Sequence, residues 1–120
     1  MDKLTNTLKV LSDDTRLRIL MLLYMQDLCV CQLCGILNIS QPSVSKNLAK
    51  LRDMNIVVDT RKEKFIEYSI VRDNNDNVFL MSILSQLHEQ LEKYPILLND
   101  SKKIRDKDHF LNLCDNRLTN

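Results

Sequence analysis

Apolar residues recur at helical spacing through the first half of this chain, and the pattern predicts a series of short helices. The first covers residues 3–11 and has one apolar stripe. The second runs from Thr15 to about Met25 and is apolar on most of its faces, which is typical of a buried helix. The segment Ser12–Asp14 offers N-cap chemistry just before it. The second helix is therefore the predicted centre of the core.

Two further helices follow, separated by a tight turn. Asp27 can cap the third helix, which then carries Cys29 and Cys31 in about its first turn, and Asn38 can end it. Ser40 can cap the fourth helix, whose apolar residues at i, i+4 and i+7 face the core. Two helices joined in this way form a helix-turn-helix.

A pair of strands is predicted next, because β-branched and aromatic residues cluster in Ile56–Val58 and again in Phe65–Ile70. Asn55 is a plausible left-handed end for the fourth helix, and the charged segment Arg61–Lys64 is the predicted turn between the strands. A β-hairpin directly after a helix-turn-helix is a wing. The pattern thus predicts a winged helix-turn-helix fold that is mainly α with a β-hairpin.

A last helix is predicted from Val78 to about Lys93, and Pro95 is expected to end it. Its leucines are spaced 4, 3 and 4 residues apart, at Leu80, Leu84, Leu87 and Leu91. Packing on the chain's own core would explain this seam, but we favour a homodimer formed by the first and last helices. Residues 1–95 then form the DNA-binding and dimerisation domain, and residues 96–120 form a C-terminal tail.

The composition agrees with one small helical domain. The chain has 120 residues, 44% of them hydrophobic, with a single glycine and no tryptophan. No apolar run approaches the roughly 20 residues of a membrane span, and the start does not resemble a signal peptide, so we expect a cytoplasmic protein without a membrane partner. The net charge is only +1, yet residues 40–72 carry seven basic and four acidic side chains, a modest basic surface.

Three of the four cysteines, Cys29, Cys31 and Cys34, lie within six consecutive positions. Clustered thiolates are ligands for a soft, sulfur-seeking ion, and the dipole at a helix N-terminus favours thiolates. At about 100° per residue, Cys31 and Cys34 lie some 60° apart around a helix, and Cys29 lies roughly 140° to 160° from both. A regular helix cannot bring the three sulfurs together, so ligation by all three predicts unwinding of the first turn.

Other uses of these thiols stay open. They could form a redox or persulfide switch in a repressor of the same fold. They could also stabilise a structural or interaction domain through zinc, although zinc prefers four ligands and histidine is absent nearby. Cys114 stands alone in the tail and is more typical of a bystander. No catalytic triad, phosphate loop or paired-carboxylate site indicates an enzyme.

The exposed arc predicted for the fourth helix suits a DNA major groove. Small polar side chains near its N-terminus can reach base edges, and lysines farther along can meet phosphates or guanine. The basic wing tip could contact the DNA backbone as well. The candidate DNA-binding residues are Gln41, Ser43, Ser45, Lys46, Lys50, Arg61, Lys62 and Lys64. An ordinary solvated helix face is the alternative.

Three segments together resemble the ArsR family of metalloregulatory repressors, and its arsenic-responsive branch most closely. They are Leu11–Leu20, the cysteine motif in Leu28–Cys34, and Ser40–Leu48 running on to the hairpin. Gln32 stands where the family frequently has aspartate, and Glu63 and Lys64 stand where the wing tip commonly has glycine.

This resemblance implies a homodimeric repressor that binds double-stranded operator DNA at the promoter of its own operon. Two recognition helices in a dimer should read half-sites about one helical turn apart, so an imperfect palindrome is expected. The resemblance implies release from the DNA when arsenic(III) or antimony(III) binds the three thiolates, which would be Cys29, Cys31 and Cys34. It also places the recognition residues at Gln41, Ser43, Ser45 and Lys46, and the wing at Arg61–Lys64. No organic cofactor is implied.

Overall fold

The computed structural model describes residues 2–111 and contains, within them, six α-helices and one three-stranded antiparallel sheet. The helices are α1 (Asp2–Leu11), α2 (Asp14–Met25), α3 (Val30–Leu37), α4 (Gln41–Asp53), α5 (Val78–Glu89) and α6 (Pro95–Lys103). The strands are β1 (Leu28–Cys29), β2 (Val57–Arg61) and β3 (Ile66–Ile70). The prediction of a mainly α, winged helix-turn-helix fold is confirmed.

Helix α2 lies at the centre of the core, as its pattern predicts. Ile19–Leu23 are all buried, and α2 packs against each of the other helices and against β3. Its start matches the sequence prediction, because the Asp13 carboxylate accepts a hydrogen bond from the Arg16 backbone N–H at 3.0 Å. Burying five consecutive residues on different faces requires neighbours on all sides.

Local turn chemistry sets the geometry of the helix-turn-helix. Asn38 ends α3 with a φ of 55°, and Asn55 follows α4 with a φ of 60°; both lie in the left-handed region that asparagine tolerates. Ser40 caps α4, and its hydroxyl accepts a hydrogen bond from the Ser43 backbone N–H at 3.4 Å. These three predictions are confirmed.

The predicted start of α3 is wrong. Cys29, and not Asp27, is the N-cap residue, with extended φ and ψ of −91° and 169°. Leu28 is fully buried, and with Cys29 it forms the short strand β1, which pairs antiparallel with β3. The partners are Leu28 with Tyr68 and Cys29 with Glu67, so the sheet order is β1-β3-β2.

The wing is a tight hairpin. Arg61 pairs with Ile66, and the Lys62 backbone N–H donates to the Phe65 carbonyl at 2.8 Å. The tip turns through Glu63 and Lys64, and neither has a positive φ. The turn therefore forms without the glycine that is common at this position.

The C-terminal half differs from its prediction. Helix α5 ends at Glu89, a short 3-10 turn covers Leu91–Lys93, and Pro95 begins α6 where it was expected only to end a helix. Proline fits the first turn of a helix because its missing N–H is not needed there. In the leucine seam, Leu80 and Leu84 are buried in the chain's own core, which was the alternative interpretation.

Helix α6 packs against α2 and α3, although it falls in the segment assigned to the tail. The division at residue 95 stays a prediction. Residues 112–120, including Cys114, lie outside the described residues. Among residues 2–111, no helix is long and apolar enough to cross a membrane.

Candidate metalloid site and nucleic-acid interface

The three cysteines of the motif occupy different structural positions. Cys29 is a strand residue and the N-cap of α3, whereas Cys31 and Cys34 lie on successive turns of that helix. Cys29 and Cys34 are buried free thiols, with exposed fractions of 5% and 6%. Cys31 is half-buried and disulfide-bonded.

Burial raises the pKa of the Cys29 thiol above its ordinary value. The backbone N–H groups of Gln32, Cys31 and Cys29 act in the opposite direction, and the charge of Glu67 adds to the rise. The N–H groups at the start of α3 do favour the thiolate, as the sequence predicts, but desolvation exceeds their effect, and the net change in the Cys29 pKa is upward. Cys29 is a protonated thiol at neutral pH.

The donor set fits a thiophilic trivalent ion by its chemistry, since three sulfurs lie close together in sequence. It does not fit by its present geometry. Within residues 2–111, no three His, Cys, Asp or Glu side chains are grouped so that they could hold a metal ion. A three-sulfur site therefore requires the chain around Cys29 to move, and the ligand assignment stays a prediction.

Gln32 fixes the position of Cys29. Its side-chain Oε1 accepts a hydrogen bond from the Cys29 backbone N–H at 3.0 Å, and its Nε2 donates to the Lys107 carbonyl at 3.4 Å. Gln32 is buried, so both bonds lie largely out of water. Sequence reasoning noted Gln32 only as a departure from the family pattern; its spacing of three from the N-cap was the available signal.

A cavity of about 240 Å³ adjoins Cys29. The wing supplies one part of its lining through Lys62, Phe65 and Glu67, and the C-terminal segment supplies another through Lys107, Asp108 and Leu111. Cys29 thus borders a cavity to which both the wing and the C-terminal segment contribute charged side chains.

The predicted DNA-binding residues of α4 share one exposed region, with one exception. Gln41, Ser45, Lys46 and Lys50 are exposed. Ser43 is half-buried, its N–H is used by the Ser40 cap, and its carbonyl accepts from Asn47 Nδ2 at 2.8 Å. Contact with DNA through the Ser43 side chain stays a prediction, as do the other DNA contacts.

The predicted wing residues Arg61, Lys62 and Lys64 are exposed at the end of the hairpin. Lys62 Nζ lies 3.9 Å from a Glu67 carboxylate oxygen, an exposed pair that adds little stability. The nearby Glu67 carboxylate partly offsets the positive charge of Lys62. Arg61 and Lys64 are therefore the better candidates for phosphate contact.

An ion pair that sequence reasoning missed, between half-buried Arg18 and buried Asp100, ties α2 to α6. Arg18 Nε and Nη2 donate to the two carboxylate oxygens of Asp100 at 2.8 and 2.9 Å, and Asp100 is only 1% exposed. The Asp100 carboxylate raises the Arg18 pKa, against the effect of burial. Arg18 Nη2 also donates to the Leu37 carbonyl at 3.3 Å. The two partners are 82 residues apart, so no local pattern could indicate the pair.

Comparison with known proteins gives consistent relatives. The family model described as "Bacterial regulatory protein, arsR family" matches residues 13–58. The arsenical resistance operon repressor of Escherichia coli (strain K12) is 43% identical over 63 residues, which cover 52% of this chain and 54% of that protein. The chain therefore spans about half the length of this relative.

Solved structures extend the likeness beyond the helix-turn-helix. Reduced HlyU from Vibrio cholerae N16961 is 26% identical with a TM-score of 0.65, over 74% of this chain and 88% of that one. The AntR antimony-specific transcriptional repressor is 30% identical with a TM-score of 0.61, over 77% and 82% of the respective chains. Given the family model, the winged fold and these relatives, the chain belongs to the ArsR family of bacterial regulatory proteins.

Proposed function

We propose that this chain is the transcriptional repressor of an arsenic-resistance operon, and that trivalent arsenic or antimony releases it from operator DNA by binding Cys29, Cys31 and Cys34. Members of this family are DNA-binding transcriptional regulators. The observation that carries the proposal is the position of Cys29, which is both the N-cap of α3 and a backbone partner of the wing strand β3.

Movement of Cys29 would disturb both DNA-binding elements. Cys31 and Cys34 lie on α3, so convergence of the three sulfurs requires the first turn of α3 to open and Cys29 to leave the β1–β3 pairing. Helix α3 packs directly against α4, the proposed recognition helix. Opening the turn would therefore shift α4 and the wing relative to each other, and the DNA-competent arrangement would be lost.

The energy needed is within reach of three sulfur bonds. Changing a two-state population from 1:99 to 99:1 takes about 5.5 kcal/mol of differential affinity. When bound, the trivalent ion would form one bond to each of three sulfur atoms. Only the rearranged conformation brings the three sulfurs close enough for all three bonds, so ion binding favours that conformation over the one that binds DNA.

A dimer would present two recognition helices. Apolar side chains remain exposed on α1, where Leu4 and Leu8 are 41% and 50% exposed, and at the start of α5, where Val78 and Phe79 are 62% and 47% exposed. A second copy of the chain would cover them. The two α4 helices would then read half-sites about 34 Å apart, which corresponds to an imperfect palindrome.

The test is fluorescence anisotropy of the fully reduced protein on DNA from upstream of its own gene. We expect tight binding, release by about one equivalent of arsenite or antimonite per subunit, and no release by zinc. Tight binding that arsenite does not change would overturn the proposed inducer. Absence of binding to any upstream DNA would overturn the repressor and favour a structural role for the cysteines.

One observation favours a second candidate. Cys31 is disulfide-bonded in the structure, so a thiol-redox repressor of the same fold is the alternative. In the same assay, release by peroxide, reversed by a thiol reductant and unaffected by arsenite, would favour that alternative.

A further inference from the structure

We propose that residues 95–111, which we call the C-terminal brace, hold the cysteine helix α3 closed, and that Gln32 is the positioning residue through which the brace sets the inducer concentration that releases DNA. This inference rests on the proposed function.

The brace contacts both ends of α3. At the N-terminal end, the Lys107 carbonyl accepts from Gln32 Nε2 at 3.4 Å. At the C-terminal end, Lys103 Nζ lies within hydrogen-bonding distance of the Ile36 carbonyl, at 3.5 Å. The last carbonyls of a helix have no partner within it, so a cation there satisfies groups that would otherwise need water.

The brace is itself held to the core. Buried Asp100, in α6, forms the ion pair with half-buried Arg18 of α2, and the same guanidinium donates to the Leu37 carbonyl at the end of α3. Leu97 adds a buried apolar contact. One arginine therefore joins α2, α3 and the brace, so loosening the brace should loosen the end of α3.

Close packing also joins the brace to the middle of α3. Gly35 is the single glycine of the chain, and a Cβ added to it would overlap the ring of Phe110. Glycine weakens a helix interior by about 1 kcal/mol relative to alanine. Its presence in an eight-residue helix is explained by the approach of Phe110.

Helix α3 needs such support because isolated helices shorter than about 12 residues are marginal in water. The proposed switch opens the first turn of α3, where Gln32 Oε1 holds the Cys29 N–H. Opening that turn breaks this bond and also pulls Gln32 away from the Lys107 carbonyl of the brace. The brace therefore opposes the inducer, and weakening it should make release easier without touching a DNA contact.

The test compares three variants of the full chain in the arsenite titration of DNA release. Gln32→Met keeps the size of the side chain and removes both hydrogen bonds, and Asp100→Asn removes the charge that pairs with Arg18. Ser101→Ala is the matched control, since within residues 2–111 the Ser101 hydroxyl donates only to the nearby Leu98 carbonyl, at 2.6 Å. We expect the first two variants to lower the arsenite midpoint about threefold to tenfold, with unchanged operator affinity and an unchanged control.

Arsenite midpoints equal to or above that of the original protein would overturn the brace. A variant whose operator affinity falls as much as its arsenite midpoint would also overturn it, because that pattern indicates general destabilisation. If the original protein does not respond to arsenite, the proposed function fails but the brace is still tested. Amide exchange of residues 29–35 without inducer should then be about fivefold faster in Gln32→Met, and equal rates would overturn the brace.

Discussion

Cys29 and Glu67 are backbone partners across β1 and β3, so the first cysteine of the motif belongs to the same sheet as the wing. The pairing extends for only two residues, Leu28 and Cys29. In the proposed switch, this short pairing breaks when the inducer draws Cys29 toward the other two sulfurs; without inducer it fixes the cysteine relative to the hairpin. If the proposed function is correct, inducer binding at this thiol would act on the wing directly, in addition to acting through α3 and α4.

Replacing Cys29 by serine should separate DNA binding from induction. Serine is a favoured N-cap residue, so Cys29→Ser should keep the start of α3 and the β1–β3 pairing intact. We expect operator affinity within about threefold of the original, a Tm within about 5 °C of it, and no release by arsenite. Cys31→Ser and Cys34→Ser should behave in the same way in anisotropy titrations. Full release of any of the three variants at the original midpoint would contradict the three-sulfur site.

The raised pKa of Cys29 predicts little pH dependence for the metalloid. Its thiol stays protonated at neutral pH, and neutral arsenious acid, As(OH)₃, exchanges three As–O bonds for three As–S bonds. With all three ligands present as thiols, their three protons leave in three water molecules and no net proton is released. The arsenite midpoint should change by less than about threefold between roughly pH 6.5 and 8.

A divalent cation provides the contrast, because it displaces thiol protons into solution and its affinity should rise with pH. Titrating the same reduced protein with cadmium gives this control. An arsenite midpoint that rises about tenfold or more per pH unit would show that thiolates, and not thiols, are the resting form of the ligands, because binding of As(OH)₃ would then consume protons.

The lysines of the proposed interface should act through salt-dependent contacts. Lys46→Ala and Lys64→Ala should each weaken operator binding on every DNA sequence and reduce the slope of log affinity against log salt by about one per contact. Gln41→Ala should instead relax sequence preference and leave the slope unchanged, because it is expected to meet a base edge. Lys102→Ala, an exposed lysine on α6, is the matched control. Equal effects of Lys102→Ala and Lys46→Ala would contradict the assigned interface.

Gly35→Ala should have opposite effects in two backgrounds. Alone, the added methyl group displaces Phe110 and should undock the brace, which limited proteolysis would detect as faster cleavage near residue 105. In a Phe110→Ala background the obstacle is absent, and the better helix propensity of alanine should stabilise the protein by about 1 kcal/mol in urea unfolding. The same gain in both backgrounds would show that Gly35 and Phe110 do not constrain each other.

The sequence predicts best what is decided locally. Asp13 and Ser40 cap their helices because their side chains bond backbone N–H groups three residues ahead. Asn38 and Asn55 adopt left-handed conformations because asparagine tolerates a positive φ. Strand β1 was missed because its pattern is two residues long and its partner lies about 40 residues away. The sequence predicts that Pro95 ends a helix, whereas it begins α6. Proline is common both after and at the start of helices, and here the buried contacts of Leu97 and Asp100 favour a new helix.

The sequence predicts a set of sulfur ligands, which stays a prediction, but it does not predict the structure around them. The spacing of Cys29, Cys31 and Cys34 indicates sulfur chemistry without knowledge of the fold. The burial that keeps Cys29 protonated, and the bonds of Gln32 and Arg18 that brace α3, arise from segments distant in sequence. Such contacts depend on tertiary packing, which the hydrophobic periodicity of the sequence does not predict.

X-ray absorption at the arsenic edge, on the fully reduced protein loaded with one equivalent of arsenite, tests the central claim most directly. Three sulfur neighbours and no oxygen neighbour are predicted for the original chain, and two sulfurs for Cys29→Ser. Two or fewer sulfurs around arsenic in the original chain, or three in Cys29→Ser, would contradict the assignment of Cys29, Cys31 and Cys34 as the inducer site.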